Sequence, residues 1–288
     1  GLPVTLSSSG LPAGAAFQPD SGQFLWTPAP NQTGDSTLSF AASNSAGVAA
    51  PGTVPVTVDS GLPLIPKPEL TACSPGALAS IHGRWLTSDD SSDSDPSGAS
   101  LQLSGSLVRV NGSVVPLLSA SPTRLTFLCP SADPGAQLDI TVETESGDTA
   151  SLQTTMLEAN PVILAVPDSN PSADQPEGFI TFPDSDRLAI VRDARQLGEP
   201  ALPGDLVSIR ATGLGPIADT PGALSVSIGG IDAAIQSVIP DPKAAGVYLI
   251  VVRVPQAAAS GFDVAVQLTL HPAAGDPLAS NTVTLAIE

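Results

Sequence analysis

The sequence predicts an all-β chain built of tandem β-sandwich modules, and three observations carry that reading. The 30 prolines and 26 glycines in 288 residues interrupt the chain too often for long helices. Short stretches alternate apolar and polar residues between turn signals, the period of half-buried strands. One strand-forming unit also occurs twice: at an offset of 128, Pro75, Gly76, Leu78, Ser80 and Ile81 match Pro203, Gly204, Leu206, Ser208 and Ile209.

A chain of 288 residues is too long for one small sandwich and predicts two or three domains. Hydrophobic residues make up 42% of it, enough for real cores, but aromatics supply only 3%, so Val, Leu, Ile and Ala do the filling. The net charge is -18, from 28 acidic and 10 basic residues, with Lys67 and Lys243 the only lysines. Nucleic-acid binding draws on Lys and Arg to neutralise phosphates, so this balance argues against it, and against anionic membrane surfaces. Solubility and self-repulsion on an exported protein fit the charge better than cation binding does. No run approaches the roughly 18 to 20 apolar residues of a spanning helix, so no membrane span is predicted. The opening GLPVTL lies inside a strand-like pattern, and the expectation is a fragment or processed product whose targeting segment lies outside it.

The first module, residues 1–60, reads as hairpins without helices. Phe24 and Trp26 alternate with Gln23, Leu25 and Thr27, Leu38, Phe40 and Ala42 alternate with Thr37, Ser39 and Ala41, and Val54, Val56 and Val58 close the segment. Asp20-Ser21-Gly22 and Asn44-Ser45-Ala46-Gly47 supply the turns. Residues 61–68 then form a proline-rich linker, which predicts an extended, stiff connection.

The second module, 69–158, places Ala79 and Ile81 on one strand face. The turn Asn111-Gly112, a strong hairpin signal, stands between Leu107–Val110 and Val114–Leu118. Leu125, Phe127 and Cys129 share a further face, followed by Leu138, Ile140 and Val142. The third module, 159–288, repeats this order: Val226 to Gly230 answers Val108 to Gly112, and Ile250 to Pro255 answers Leu125 to Pro130. Their offsets of 118 and 125 place insertions between strands, where homologous sandwiches vary. Phe179–Phe182 and Leu188–Val191 predict an additional hairpin packed on the third module as an N-terminal extension.

Cys73 and Cys129 are the whole supply of cysteine, at a spacing that matches no zinc or redox motif. A disulfide is the sharper reading; two buried free thiols acting as small hydrophobes are the other. The repeat favours the disulfide, because Ala201 and Val254 replace both cysteines together in the third module.

Two resemblances bear on these modules. Leu11-Pro12-Ala13-Gly14, Ser21-Gly22-Gln23-Phe24-Leu25-Trp26-Thr27-Pro28 and Asn44-Ser45-Ala46-Gly47 resemble the second half of a dystroglycan-type cadherin-like, or bacterial immunoglobulin-like, module over about sixty residues. That family's opening strands are not matched, which implies a partial module with an open sheet edge. Residues 69–288, through Pro-Gly-x-Leu-x-Ser-Ile, Gly213-Leu214-Gly215-Pro216, Tyr248 to Pro255 and the ending Ser280 to Leu285, resemble an uncharacterised C-terminal module family of large exported proteins of soil bacteria, related in style to IPT/TIG domains. The resemblance implies an immunoglobulin-like fold, an extracellular or cell-surface setting, and no established catalytic residues. Together the readings predict three immunoglobulin-like modules in series.

The candidates for chemistry are few. The run SDDSSDSDPSG holds Asp89, Asp90, Asp93 and Asp95, and calcium needs six to eight oxygens. The spacing is not that of an EF-hand and no Glu closes the loop, so a solvated acidic run is the plainer expectation. Asp184 and Asp186 read as hairpin-tip residues. His82 and His271 fall in different modules, and no GxSxG elbow or HExxH helix accompanies them. Trp26, Trp85 and Tyr248 are scattered over three modules, which suits packing better than a sugar platform, with a small binding surface beside Trp85 as the exception. Gly213-x-Gly215 follows a strand without opening a helix and reads as a tight turn rather than a nucleotide loop.

The functional expectation is therefore a non-enzyme without metal or cofactor: an extracellular spacer, adhesion or presentation segment of a larger exported protein. The alternatives are a ligand-binding accessory module for a glycan or protein partner near Trp85 and the acidic run, and a calcium-stiffened adhesion array.

Overall fold

The computed structural model describes residues 3–28, 32–59, 62–65, 72–87, 92–149, 151–166, 175–183, 185–191, 198–215, 222–273 and 275–288. Its named elements are all strands, and the chain divides into two compact units, Gly1–Leu62 and Pro63–Glu288.

The first unit contains β1 (Thr5–Ser9), β2 (Ala16–Gln18), β3 (Gln23–Leu25), β4 (Gly34–Asn44), β5 (Gly47–Val48) and β6 (Gly52–Val58). The long β4 is its axis, with β1 antiparallel on one side and β5 and β6 on the other. The alternation read from the sequence is realised in the register, which aligns Leu6 with Ala42 and Val54 with Leu38 on one face. Among the described residues of this unit that face is covered by the β2–β3 hairpin, whose Phe17 and Phe24 rings stand 5.3 and 6.1 Å from Phe40. Leu38 is accordingly the single buried hydrophobic of the unit among the described residues. The outer edges of β1 and β6 carry no partner strand among those residues, and Pro55 blunts β6 while β1 has no such device.

The second unit holds two sandwiches in succession. The first comprises β7 (Leu78–His82), β8 (Asp93–Ser94), β9 (Leu107–Val110), β10 (Ser113–Val115), β11 (Leu117–Ser121), β12 (Arg124–Leu128), β13 (Gln137–Thr144), β14 (Gly147–Asp148) and β15 (Leu152–Thr155). One sheet runs β7-β12-β11-β8; the other runs β10-β9-β13-β14, with β15 also on β13. Between them lie Ile81, Leu117, Leu125, Phe127, Leu138 and Ile140, all buried. Asn111 and Gly112 both take positive φ, 50° and 78°, the turn that matches strand twist. The Asn111 side chain also accepts from the Asp139 N–H at 2.8 Å, tying the hairpin to β13.

The second sandwich comprises β16 (Val162–Ile163), β17 (Ile180–Thr181), β18 (Leu206–Thr212), β19 (Leu224–Ile228), β20 (Ile231–Asp232), β21 (Ala234–Pro240), β22 (Tyr248–Arg253), β23 (Gly261–Leu270), β24 (Leu278–Ala279) and β25 (Val283–Ile287). Its sheets run β16-β18-β22-β21, with β17 also on β18, and β20-β19-β23-β24, with β25 on β23. The duplication extends to register. Ile81 faces Leu125, and Ile209 faces Ile250, as the offsets of 128 and 125 require. Even the irregularities repeat: β11 shifts register between Leu117 and Ser119, and β21 between Ile235 and Ser237.

Cys73 and Cys129 are disulfide-bonded, with Cα atoms 5.8 Å apart. Cys129 extends β12, its N–H donating to the Ala77 carbonyl, whereas the Cys73 carbonyl accepts the Leu157 N–H just beyond β15, so the bond ties the end of one sheet to the edge of the other. In the third module Ala201 and Val254 fill the equivalent places, fully buried, and the Gly76 N–H bond to Cys129 is reproduced by Gly204 and Val254. Part of the proline-rich linker is tied to the second module, because Leu64 and Arg84 exchange two backbone hydrogen bonds of 3.0 and 2.9 Å. Of that linker, residues 61 and 66–68 lie outside the described residues.

The two sandwiches of this unit meet through a specific seam. Thr212, at the end of β18, accepts the Leu78 N–H at 2.9 Å and donates to the Gly246 carbonyl at 2.6 Å. The Ala245 N–H donates to the Pro96 carbonyl at 2.9 Å. The connecting segment passes under the turn after β18, where a Cβ on Gly213 would lie 1.8 Å from the Asn160 carbonyl oxygen. The Gly213 turn expected from the sequence therefore has a second reason to be glycine: positive φ and close backbone approach coincide.

Candidate functional site

The residues singled out by sequence do not converge. Asp89, Asp90 and Asp184 lie outside the described residues. Asp93 is exposed on β8, and its carboxylate accepts the Ser94 N–H. Asp95 spends its oxygens on its own turn, one on the Ser97 N–H and hydroxyl and the other on the Ser100 N–H. Those hydrogen bonds, Ser97 first and then Ser100, hold its carboxyl below the ordinary value of 3.8. Among the described residues no three His, Cys, Asp or Glu side chains group to hold a metal ion.

His82 lies in β7 opposite Arg124, and His271 follows β23, where its Nε2 meets the Ser225 hydroxyl at 2.9 Å on the exposed surface. Trp26 donates to the Ala13 carbonyl at 3.3 Å in the first unit, and Tyr248 packs on the core of the third module. Trp85 is half-buried and takes a φ of 55°, uncommon for so bulky a residue.

The structure instead brings together residues that sequence reasoning passed over. On the outer face of β18 and β22 the alternation turns Ser208, Arg210 and Leu249 outward while Val207, Ile209 and Ile250 enter the core. Two turns rise over this face from opposite edges of the sheet. One follows β17 and carries Ser185 and Asp186; the other follows β21 and carries Asp241, Pro242 and Lys243. The trough between them has a volume of about 290 Å³ and is lined chiefly by polar side chains.

Its floor is fixed by three contacts. The Arg210 guanidinium carbon lies 4.3 Å from the centre of the Phe179 ring, a cation–π stack. Arg210 Nε faces Asp241 Oδ2 at 3.4 Å, ion-pair distance without hydrogen-bond alignment, and both atoms are buried. Asp241 is itself fixed by the Lys243 N–H, which donates to Oδ1 at 2.8 Å. The Asp241 side chain is 3% exposed whereas that of Arg210 is 22% exposed, so the arginine is what the trough presents. Of the two turns only the one at Asp186 was read from the sequence, as a hairpin tip, and their meeting over one sheet face is a tertiary fact.

No family model matches the chain, and no curated protein matches it. Solved structures do. SGBP-B of the Bacteroides ovatus mixed-linkage glucan utilization locus, solved with a mixed-linkage heptasaccharide, is 14% identical with a TM-score of 0.34 over 99% of this chain and 60% of that one. Domains 4–9 of the surface layer protein SbsC are 12% identical with a TM-score of 0.33, covering 99% of this chain and 38% of that one. The protocadherin GammaB4 extracellular domain is 15% identical with a TM-score of 0.23, covering 99% of this chain and 43% of that one. The chain thus spans less than two thirds of each of these three structures.

Proposed function

We propose that the chain is a non-catalytic spacer or presentation segment of a larger exported protein, working at the cell surface or outside the cell, with its last two modules held as one stiff piece. The observation that supports this is the seam between those modules. A spacer of fixed reach needs its joints ordered, and tandem domains move against each other unless their interface is specific. Here one buried hydroxyl, Thr212, is saturated by a backbone donor of one module and a backbone acceptor of its own, while Ala245 and Pro96 add a second cross-link. The strong negative charge suits exposure to solvent and resistance to self-association. The motif resemblances of residues 1–60 and 69–288 to cadherin-like and IPT/TIG-style modules of exported proteins agree with this reading. Among the described residues no helix is long and apolar enough to cross a membrane.

The test is a distance measurement between spin labels on exposed sites of the two sandwiches, with Glu145→Cys and Asp263→Cys as the labelled pair. A single narrow distance distribution is expected. A broad distribution in the otherwise unaltered chain would sink the stiff-spacer reading.

A further inference from the structure

The trough over β18 and β22 has the construction of a binding site, and its chemistry names the ligand. Arginine is a planar fork whose terminal nitrogens match a carboxylate in bidentate fashion. In most surface positions that fork is mobile. At Arg210 it is held by the Phe179 ring and by Asp241 at Nε, so the guanidinium is restrained in orientation, and this side chain lines the trough. Lys243, one of only two lysines in a chain of net charge -18, lines the same trough. Two of the chain's ten basic residues thus share one trough.

The remaining lining narrows the choice. Asp186 stands exposed at the rim and, with buried Asp241, offsets the two cations in formal charge. With the lining's formal charges balanced, a doubly charged phosphate ester is the costlier guest, and a planar, singly charged carboxylate facing the arginine fork, flanked by neutral hydroxyls, is the better match. Ser185 and Ser208 offer hydroxyl groups that donate or accept, and Asp186 accepts from a ligand hydroxyl. A peptide is disfavoured because the floor strands are already paired on both edges, β18 by β17 and β22, and β22 by β18 and β21. No strand edge is left in the floor for main-chain recognition. A volume of about 290 Å³ suits one ring-sized unit.

We infer that this trough binds the carboxylate of a hexuronate unit in an acidic polysaccharide. Arg210 takes the carboxylate, Lys243 adds the second positive contact, and Ser185, Ser208 and Asp186 read the ring hydroxyls. This goes beyond the spacer reading, which needs no ligand, and either stands without the other.

The experiment is a calorimetric titration of the full chain with trigalacturonate, with neutral trigalactose and an acidic tripeptide as comparison ligands. Binding of trigalacturonate alone is expected, with affinity falling about ten-fold in Arg210→Lys, which keeps the charge and the Asp241 pair but loses the fork. Lys243→Gln, at an exposed position where folding is not at stake, should also weaken binding and its salt dependence. Absence of heat at millimolar trigalacturonate overturns the proposal, as does equal binding of trigalactose or of the tripeptide, or affinity unchanged in both variants. These variants lie off the labelled pair and off the Thr212 seam, so a failed titration leaves the interspin distances to be judged separately.

Discussion

The Leu78 N–H of the second module donates to Thr212 Oγ1 of the third at 2.9 Å, and the same hydroxyl donates onward to the Gly246 carbonyl. Thr212 is 2% exposed, and Leu78 and Gly246 are half-buried. Thr212→Val keeps the shape and removes the hydroxyl, so a donor and an acceptor lose their partner at a half-buried seam. The expected loss is about 1 to 3 kcal/mol in chemical denaturation, together with a broadened distribution between labelled modules. Thr212→Ser should restore most of both. An unchanged midpoint in the valine variant would mean that the modules dock without this bridge.

Gly213→Ala tests the connecting segment. Any residue other than glycine meets a backbone cost at φ 75°, about 1 to 2 kcal/mol. Gly230, at φ 77° in the β19–β20 turn with nothing within 4 Å of the place a methyl group would take, isolates that cost alone. At Gly213 the methyl also collides with the Asn160 carbonyl, which is backbone and cannot rotate away. Gly213→Ala should therefore destabilise well beyond Gly230→Ala when the two are compared by thermal melting. Equal effects would place the connecting segment elsewhere.

The disulfide closes a separation of 56 residues, which the loop-entropy picture values at about 4 kcal/mol. A Cys73→Ala, Cys129→Val double variant reproduces the third module's solution, where Ala201 and Val254 are buried without a bond. It should fold and lose up to that amount in urea titration. Identical stability of the oxidised protein and the double variant would show that the bond does not constrain the unfolded chain.

Asp95 sets a pH dependence with a defined sign. Hydrogen bonds from Ser97 and Ser100 lower its folded pKa below 3.8, the ordinary value that it regains on unfolding. Its contribution to stability is thus complete above 3.8 and disappears as pH falls through the lower folded value. The stability gap between the parent chain and Asp95→Ala should be constant near neutrality and shrink below 3.8 in parallel denaturant titrations. A gap that persists undiminished at pH 2 would assign the effect to the turn backbone instead of the charge.

What the sequence made legible was local or repeated. Alternation put Leu125, Phe127, Ile209 and Ile250 in cores, and the paired offsets carry the facing pair of one sandwich onto that of the other, because register follows from a two-residue period once one face is buried. Coverage was not legible: Leu38 and Phe40 carry the same signal as core residues elsewhere, yet only a short hairpin lies over them. The trough was not legible either. Arg210 stands at an outward position of the duplicated strand where the second module has His82, and nothing local says that the turns of Asp241 and Ser185 close over it. Asp95, in contrast, sat in the run most suggestive of a cation site, but Asp-x-Ser also caps a turn, and the nearer hydrogen bonds prevail.

Ile81 and Ile209 occupy the same place in the two sandwiches and are both fully buried, so truncating each to alanine measures how the copies differ. Removal of three buried carbons costs about 2 to 5 kcal/mol, more where neighbours cannot collapse into the space. Ile209 is flanked in its sheet by Ile250 on β22 and Ile180 on β17, each held by backbone pairing, whereas β7 has no counterpart of β17 beside Ile81 among the described residues. A wall on both sides resists relaxation. Ile209→Ala should therefore sit toward the upper end of that range and Ile81→Ala toward the lower, as read from urea midpoints at constant slope. The reverse order would mean that β17 yields on truncation and adds no rigidity to the sheet that floors the trough.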